Sequence, residues 1–190
     1  YRRIQKRYGN SAHYLSWGIT PEHFSPQPFP ELDDGNIIAG WAGQWKNPRK
    51  QYERLAEVME TAKGIAFKPN RTEMVSGRQT GAFEMEMMHQ YYAGIHVYVC
   101  GSASEGFHFP FLEAAACGRA IVTFDVGCAR DLLDTGAGIV IVDSFAEMVD
   151  AVRAVNWRAF GTDSGDAVRG YWTWDVLRQG WIDALDMVGS

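Results

Sequence analysis

The stretch GSASEGFHFPFLEAAACGRAIVTFDVG, Gly101 to Gly127, decides how the chain is read. It sets Glu105 and Glu113 eight positions apart, on either side of a Gly-Phe-His-Phe-Pro run, and continues as an alanine-rich segment. Just upstream, IHVYVCGS (residues 95–102) is apolar at nearly every position and reads as a buried strand ending at Cys100. Pro110 suits a first helical turn, where its missing N–H would be unpaired anyway, so PFLEAAACG reads as a helix with Glu113 in or near that turn. AIVTFDVG (residues 120–127) is the next strand.

The same alternation extends outward. NIIAGWAG (36–43), IAFKPN (65–70) and AGIVIVD (137–143) read as further strands. RKQYERLAEVMETAKG (49–64), AFEMEMMHQYYAG (82–94), ARDLLDTG (129–136) and SFAEMVDAVRAV (144–155) read as helices, the last with a Ser144/Glu147 capping box. Near-continuous apolar strands alternating with helices predict an α/β domain, a Rossmann-like parallel sheet with helices on both faces. Before it, residues 1–35 hold what reads as the end of a basic helix (Tyr1 to Tyr8) and then GITPEHFSPQPFPELDDGN, whose four prolines predict an extended connector. After residues 36–155, the domain proper, residues 156–190 read as a loop and a last helix with Val176, Leu177, Trp181, Ile182, Leu185 and Val188 at helical spacing.

The bulk properties exclude several classes of function. The chain has 190 residues, is 46% hydrophobic and carries a formal net charge of −5 with both signs interspersed, so no basic stripe points to nucleic acid. Cys100, Cys117 and Cys128 are odd in number and lie in or beside apolar runs with no C-x-x-C spacing, which favours a reducing cytoplasm over a disulfide framework. No D-x-D pair or local His/Cys cluster is present to hold a metal. The start lacks Met and begins in mid-element, as expected of a piece of a longer chain.

In open α/β sheets, ligands sit beyond the carboxyl ends of the strands, which is where Glu105 falls. Backbone N–H groups of Phe107, His108 and Phe109 at a helix start would favour an anion, whereas carboxylates favour hydroxyls. A nucleotide sugar carries both kinds of group. At this point SEGFHFPFLEAAACGRAIVTFDVG resembles the E-x(7)-E signature of retaining glycosyltransferases of family 4, which have the two-domain GT-B fold. WGITPEHFSP, IIAGWAGQWKNPRK and YWTWDV resemble that family's entry to the C-terminal domain, its glycine-rich loop and the start of its last helices.

The resemblance implies that the chain is the C-terminal, donor-binding half of such an enzyme, moving a hexose from a UDP- or GDP-linked sugar to an acceptor hydroxyl with retention and without a bound metal. It implies that Glu105 lies by the transferred sugar and serves turnover, that Glu113 takes the ribose hydroxyls, that Gly106, Phe107, His108 and Phe109 approach sugar and phosphates, and that Gly43 lets the first loop near the diphosphate. It departs from the family in Gln44, which stands where Arg is usual, and in His108, where Gly is frequent. Arg49 or Lys50, or else Lys46, would then supply the second cation. The acceptor-binding N-terminal half would be missing, and any membrane association would have to come through it. A noncatalytic nucleotide-sugar-binding or interaction module is the alternative. A glycosidase using Glu105 and Glu113 as acid and base fits an anion-binding switch site less well, and a dinucleotide oxidoreductase lacks its G-x-G-x-x-G run.

Overall fold

A computed structural model describes residues 15–75, 78–81, 83 and 85–189, so the predicted helix from Tyr1 to Tyr8 lies outside the described residues. Strand β1 (Ile37–Gln44) is followed by a 3-10 turn (Pro48–Lys50) and helix α1 (Tyr52–Thr61). Then come β2 (Ile65–Val75), β3 (Arg78–Thr80), α2 (Met88–Ala93), β4 (Val97–Cys100), α3 (Phe109–Ala116), β5 (Ala120–Thr123), α4 (Ala129–Asp134), β6 (Ile139–Ile141) and α5 (Phe145–Ala154). Two longer helices, α6 (Trp157–Tyr171) and α7 (Trp174–Gly189), close the chain.

The sheet order is β3-β2-β1-β4-β5-β6. Five strands run parallel, as expected, while β3 pairs antiparallel with an extension of β2 beyond the predicted IAFKPN. Alternate side chains of each parallel strand enter two cores. Ala39, Trp41, Val97, Val99, Ala120 and Val122 pack with α1 and α5 residues such as Leu55, Met59, Met148 and Val152. Ile38, Ala42, Tyr98, Cys100 and Ile121 face the other way, against Tyr91, Phe111, Leu112, Leu132 and Val168. Both faces are covered, and this is why the strands lack polar alternation.

The proline-rich connector lies along the domain in the extended form its composition predicts, held by buried polar groups. Arg119, fully buried, donates through Nη2 to the carbonyls of Gln27 (2.7 Å) and Pro28 (2.9 Å), with its guanidinium over Phe29. His96 accepts from Ile38 N–H through Nδ1 (2.9 Å), so its Nε2–H donates to the Pro30 carbonyl (2.9 Å). Its role is structural, both ring nitrogens being engaged with backbone groups.

The predicted loop at the start of residues 156–190 is corrected: DSGDAVRGY belongs to α6. Its glycines suggest a loop by propensity, yet Gly161, Ser164, Gly165 and Val168 recur at helical spacing and form the buried face. A Cβ on Gly161 would stand 2.2 Å from the Gly118 carbonyl oxygen, so absence of a side chain lets α6 lie directly on the turn between α3 and β5. Gly161→Ala should therefore destabilise the fold by about 1–3 kcal/mol despite alanine's better helix propensity. Chemical denaturation showing equal or greater stability would contradict this packing.

Candidate functional site

Strands β1 and β4 are neighbours, but the chain after β1 turns to α1 on one face and the chain after β4 turns to α3 on the other. Their diverging loops leave a crevice at the carboxyl end of the sheet. A polar cleft of about 370 Å³ lies there, lined by Ala42 to Gln44 at the end of β1, by Asn47, Arg49 and Lys50 of the turn after it, by Ser104 to Gly106 of the loop after β4 and by Pro110 of α3. The two loops are tied by a hydrogen bond from Ala103 N–H to the Arg49 carbonyl (2.8 Å).

Local sequence builds each wall. Asn47 caps the 3-10 turn by accepting from Arg49 N–H, and Pro48 starts it. A Cβ on Gly43 would approach the Trp41 ring to 3.2 Å, so a side chain there would crowd Trp41. Gly106 has open space where a Cβ would stand. His108 ends the second loop with φ 73°, the left-handed region that glycine enters freely and that strains other residues by about 1 kcal/mol or more. Glycine would take that conformation without cost, so the departure at this position is a strained one, and the imidazole lies inward, 4.3 Å from the Phe111 ring centroid.

The cleft floor is an ionic cluster. Lys50 Nζ donates to Glu105 Oε1 at 2.7 Å, and both side chains are largely buried. His108 Nδ1 stands 3.3 Å from the same oxygen, while its Nε2 is 3.1 Å from the Tyr98 hydroxyl. Tyr98 in turn donates to the Ala42 carbonyl (3.2 Å), linking the cluster back to β1. Burial works to raise the Glu105 carboxyl, but His108 and Lys50 overrule it and hold it at about 2. Burial likewise works against charge on His108, but Cys100 and Glu105 raise it to about 9. Glu105 is thus a fixed carboxylate at neutral pH.

The expected site residues divide into two groups. Gly43, Gln44, Arg49, Lys50, Glu105 and Gly106 share the cleft. Lys46 does not; it is spent on Glu73 (3.0 Å). Phe107 and Phe109 pack on each other and on Trp172 and Trp17 respectively, and the His108 ring lies buried beneath. Glu113 is half-buried on α3, one turn beyond Pro110, where its Oε2 accepts from the Tyr92 hydroxyl at 2.7 Å; burial raises its carboxyl while Tyr92 opposes the rise. Sequence reasoning missed Tyr92, Tyr98 and Asn47. The signal for the tyrosines was a hydroxyl inside an apolar run, which needs a partner. Although no local His/Cys cluster is visible in the sequence, the fold brings together one ligand atom each of Cys100, Glu105 and His108 within 4.8 Å.

A family model described as Glycosyl transferases group 1 matches residues 37–155. Among solved structures, a sucrose-phosphate synthase from Thermosynechococcus elongatus superposes with a TM-score of 0.76 at 18% identity over 100% of this chain and 57% of its own. A TarM mutant from S. aureus, in complex with fondaparinux, alpha-GlcNAc-glycerol and UDP, gives 0.69 at 16% identity over 96% of this chain and 41% of its own. An alpha,alpha-trehalose-phosphate synthase (UDP-forming) from Burkholderia vietnamiensis gives 0.62 at 13% identity, over 81% and 46%. The chain therefore spans about half the length of these proteins. The shared feature is the fold, that of the C-terminal Rossmann-like domain of GT-B glycosyltransferases. A search of the curated proteins finds no match.

Because the Glu105 carboxyl is depressed in the folded state, its stabilising contribution is complete above the ordinary carboxylate range and fades as pH falls toward 2. Glu105→Gln should be less stable than the parent at neutral pH by about 2–4 kcal/mol, since it strands two buried cations. The gap should narrow steadily below about pH 4.5. Thermal unfolding across pH checks this, and a gap independent of pH would rule out the ionic cluster.

Proposed function

The chain belongs to the Glycosyl transferases group 1 family, and from that premise we propose that its cleft binds the nucleotide diphosphate sugar of a retaining family 4 enzyme. The observation that carries the reading is the composition of the cleft: an exposed Arg49 and a buried Lys50 stand beside an obligatory carboxylate at a sheet switch point. The diphosphate takes Arg49 and the N–H groups at the start of α3, where the helix dipole adds positive potential. As the diphosphate departs, growing negative charge on its oxygen is met by groups already in position, so little reorganisation is needed.

In this reading Glu105 accepts from sugar hydroxyls and faces the positive charge that develops at the anomeric carbon. Its depressed pKa keeps it ionised and makes it a poor general acid. Tyr92 occupies one oxygen of Glu113 and leaves Oε1 for the ribose hydroxyls. A glycosidase pair would need both acids flanking one scissile bond, whereas Glu105 lines the cleft and Glu113 stands apart from it on α3. The acceptor belongs to a domain outside this chain, as does any contact with a membrane. The three buried free cysteines fit a reducing, cytoplasmic setting. The base, UDP or GDP, and a hexose as the transferred group are part of the same proposal.

Gln44 favours the second reading, a noncatalytic nucleotide-sugar-binding module, because an amide in the cleft offers the diphosphate less than a bidentate guanidinium would. Turnover separates the two. In the intact protein, Glu105→Gln should leave nucleotide affinity within about threefold and lower turnover by about a hundredfold or more; unchanged turnover would remove Glu105 from the chemistry. Glu113→Ala should weaken UDP or GDP binding by about 1.5–3 kcal/mol in calorimetry, and undiminished affinity would refute the ribose role. The anomeric configuration of the product, read by NMR, tests retention.

A further inference from the structure

The grouping of Cys100, Glu105 and His108 is unlike the remainder of the cleft in being composed of three chemically different metal-ligating atoms. They come from the end of β4, the following loop and the residue that opens α3, and all lie within 4.8 Å of one another. A tetrahedral zinc ion, with bonds of about 2.0–2.3 Å, spaces its ligands about 3.4–3.8 Å apart, so small side-chain rotations suffice to close on one. His108 Nδ1 is buried and lies 3.3 Å from Glu105 Oε1, an ion-pair distance without a well-directed hydrogen bond. A buried nitrogen so poorly satisfied in direction is unusual in a folded interior. The Cys100 thiol is also buried, donating to the Ser102 hydroxyl at 3.4 Å with the His108 imidazole close by.

We propose that Cys100, Glu105 and His108 form a binding site for a thiophilic divalent cation, zinc being the type, that opens onto the cleft through Glu105. Thiolate, imidazole and carboxylate together select zinc or cobalt(II) and disfavour magnesium and calcium, which prefer all-oxygen shells. The path in is the cleft itself, because Glu105 lines it. Lys50 Nζ, now 2.7 Å from Glu105 Oε1, swings away toward the cleft as the cation arrives, and water completes the shell. Occupancy takes Glu105 and Lys50 out of their present arrangement. If the nucleotide-sugar reading holds, the cation is therefore an inhibitor that competes for the donor site, and this consequence rests on that reading.

The binding claim is tested without donor or turnover, so its failure is separable from failure of the transferase reading. Titrating the protein with cobalt(II) should give a saturable one-to-one complex with a thiolate-to-cobalt charge-transfer band in the near ultraviolet. Cys100→Ser should abolish the band while Cys117 and Cys128 remain, and zinc should bleach the parent band where magnesium does not. Glu105→Gln, with its folded state at neutral pH verified by circular dichroism, should weaken cobalt binding by about tenfold or more. A parent without the band, a band that survives Cys100→Ser, or an affinity unaltered by Glu105→Gln would each overturn the site.

Discussion

The fold turns on one reversal of chain direction across the sheet. From β1 the chain steps outward to β2 and β3, then returns to lay β4 on the other side of β1. The helices that follow β1 and β4 consequently cover opposite faces, and two loops part over a crevice that no side chain of the sheet can fill. Every residue in the cleft is there because of that return. Lys50 and Glu105 are 55 positions apart in sequence and meet only because β1 and β4 are adjacent.

Having created the crevice, the molecule stiffens it with polar contacts instead of apolar ones. Tyr98 ties His108 to the backbone of β1, His108 and Lys50 converge on a single oxygen of Glu105, and Tyr92 holds Glu113. Buried ionic clusters add little net stability over an apolar replacement, but removing one member leaves the others uncompensated. Such a cluster makes sense where a charge must be kept ready at the edge of solvent. The strained backbone of His108 fits the same pattern, since a left-handed non-glycine residue persists only where its surroundings hold it.

Much of this was legible in the chain. Apolar runs at 36–43, 95–102, 120–127 and 137–143 announced the parallel strands because burial on both faces erases polar alternation. Glu105 was locatable because it follows a strand and precedes a Pro-initiated helix. The α6 helix was not legible, since its buried face is built from Gly161, Ser164 and Gly165, residues whose intrinsic preference is for loops and whose role is close approach to neighbouring backbone. The antiparallel pairing of β2 with β3 was not legible either, since RTEMV and RQT are mostly polar and carry no hydrophobic pattern of a buried strand. Nor could spacing along the chain reveal that Glu113 would turn to Tyr92 or that Lys46 would be taken by Glu73. Those pairings depend on which helices and strands become neighbours.

The central claim is that the crevice between β1 and β4 is where a nucleotide diphosphate sits. An amide NMR titration of the isotope-labelled chain with UDP and GDP tests it most directly. The account predicts saturable shifts for one of them confined to residues 42–50 and 104–113. Shifts centred elsewhere, such as the pocket lined by Phe29 and Trp157, or none at saturating nucleotide, would contradict it.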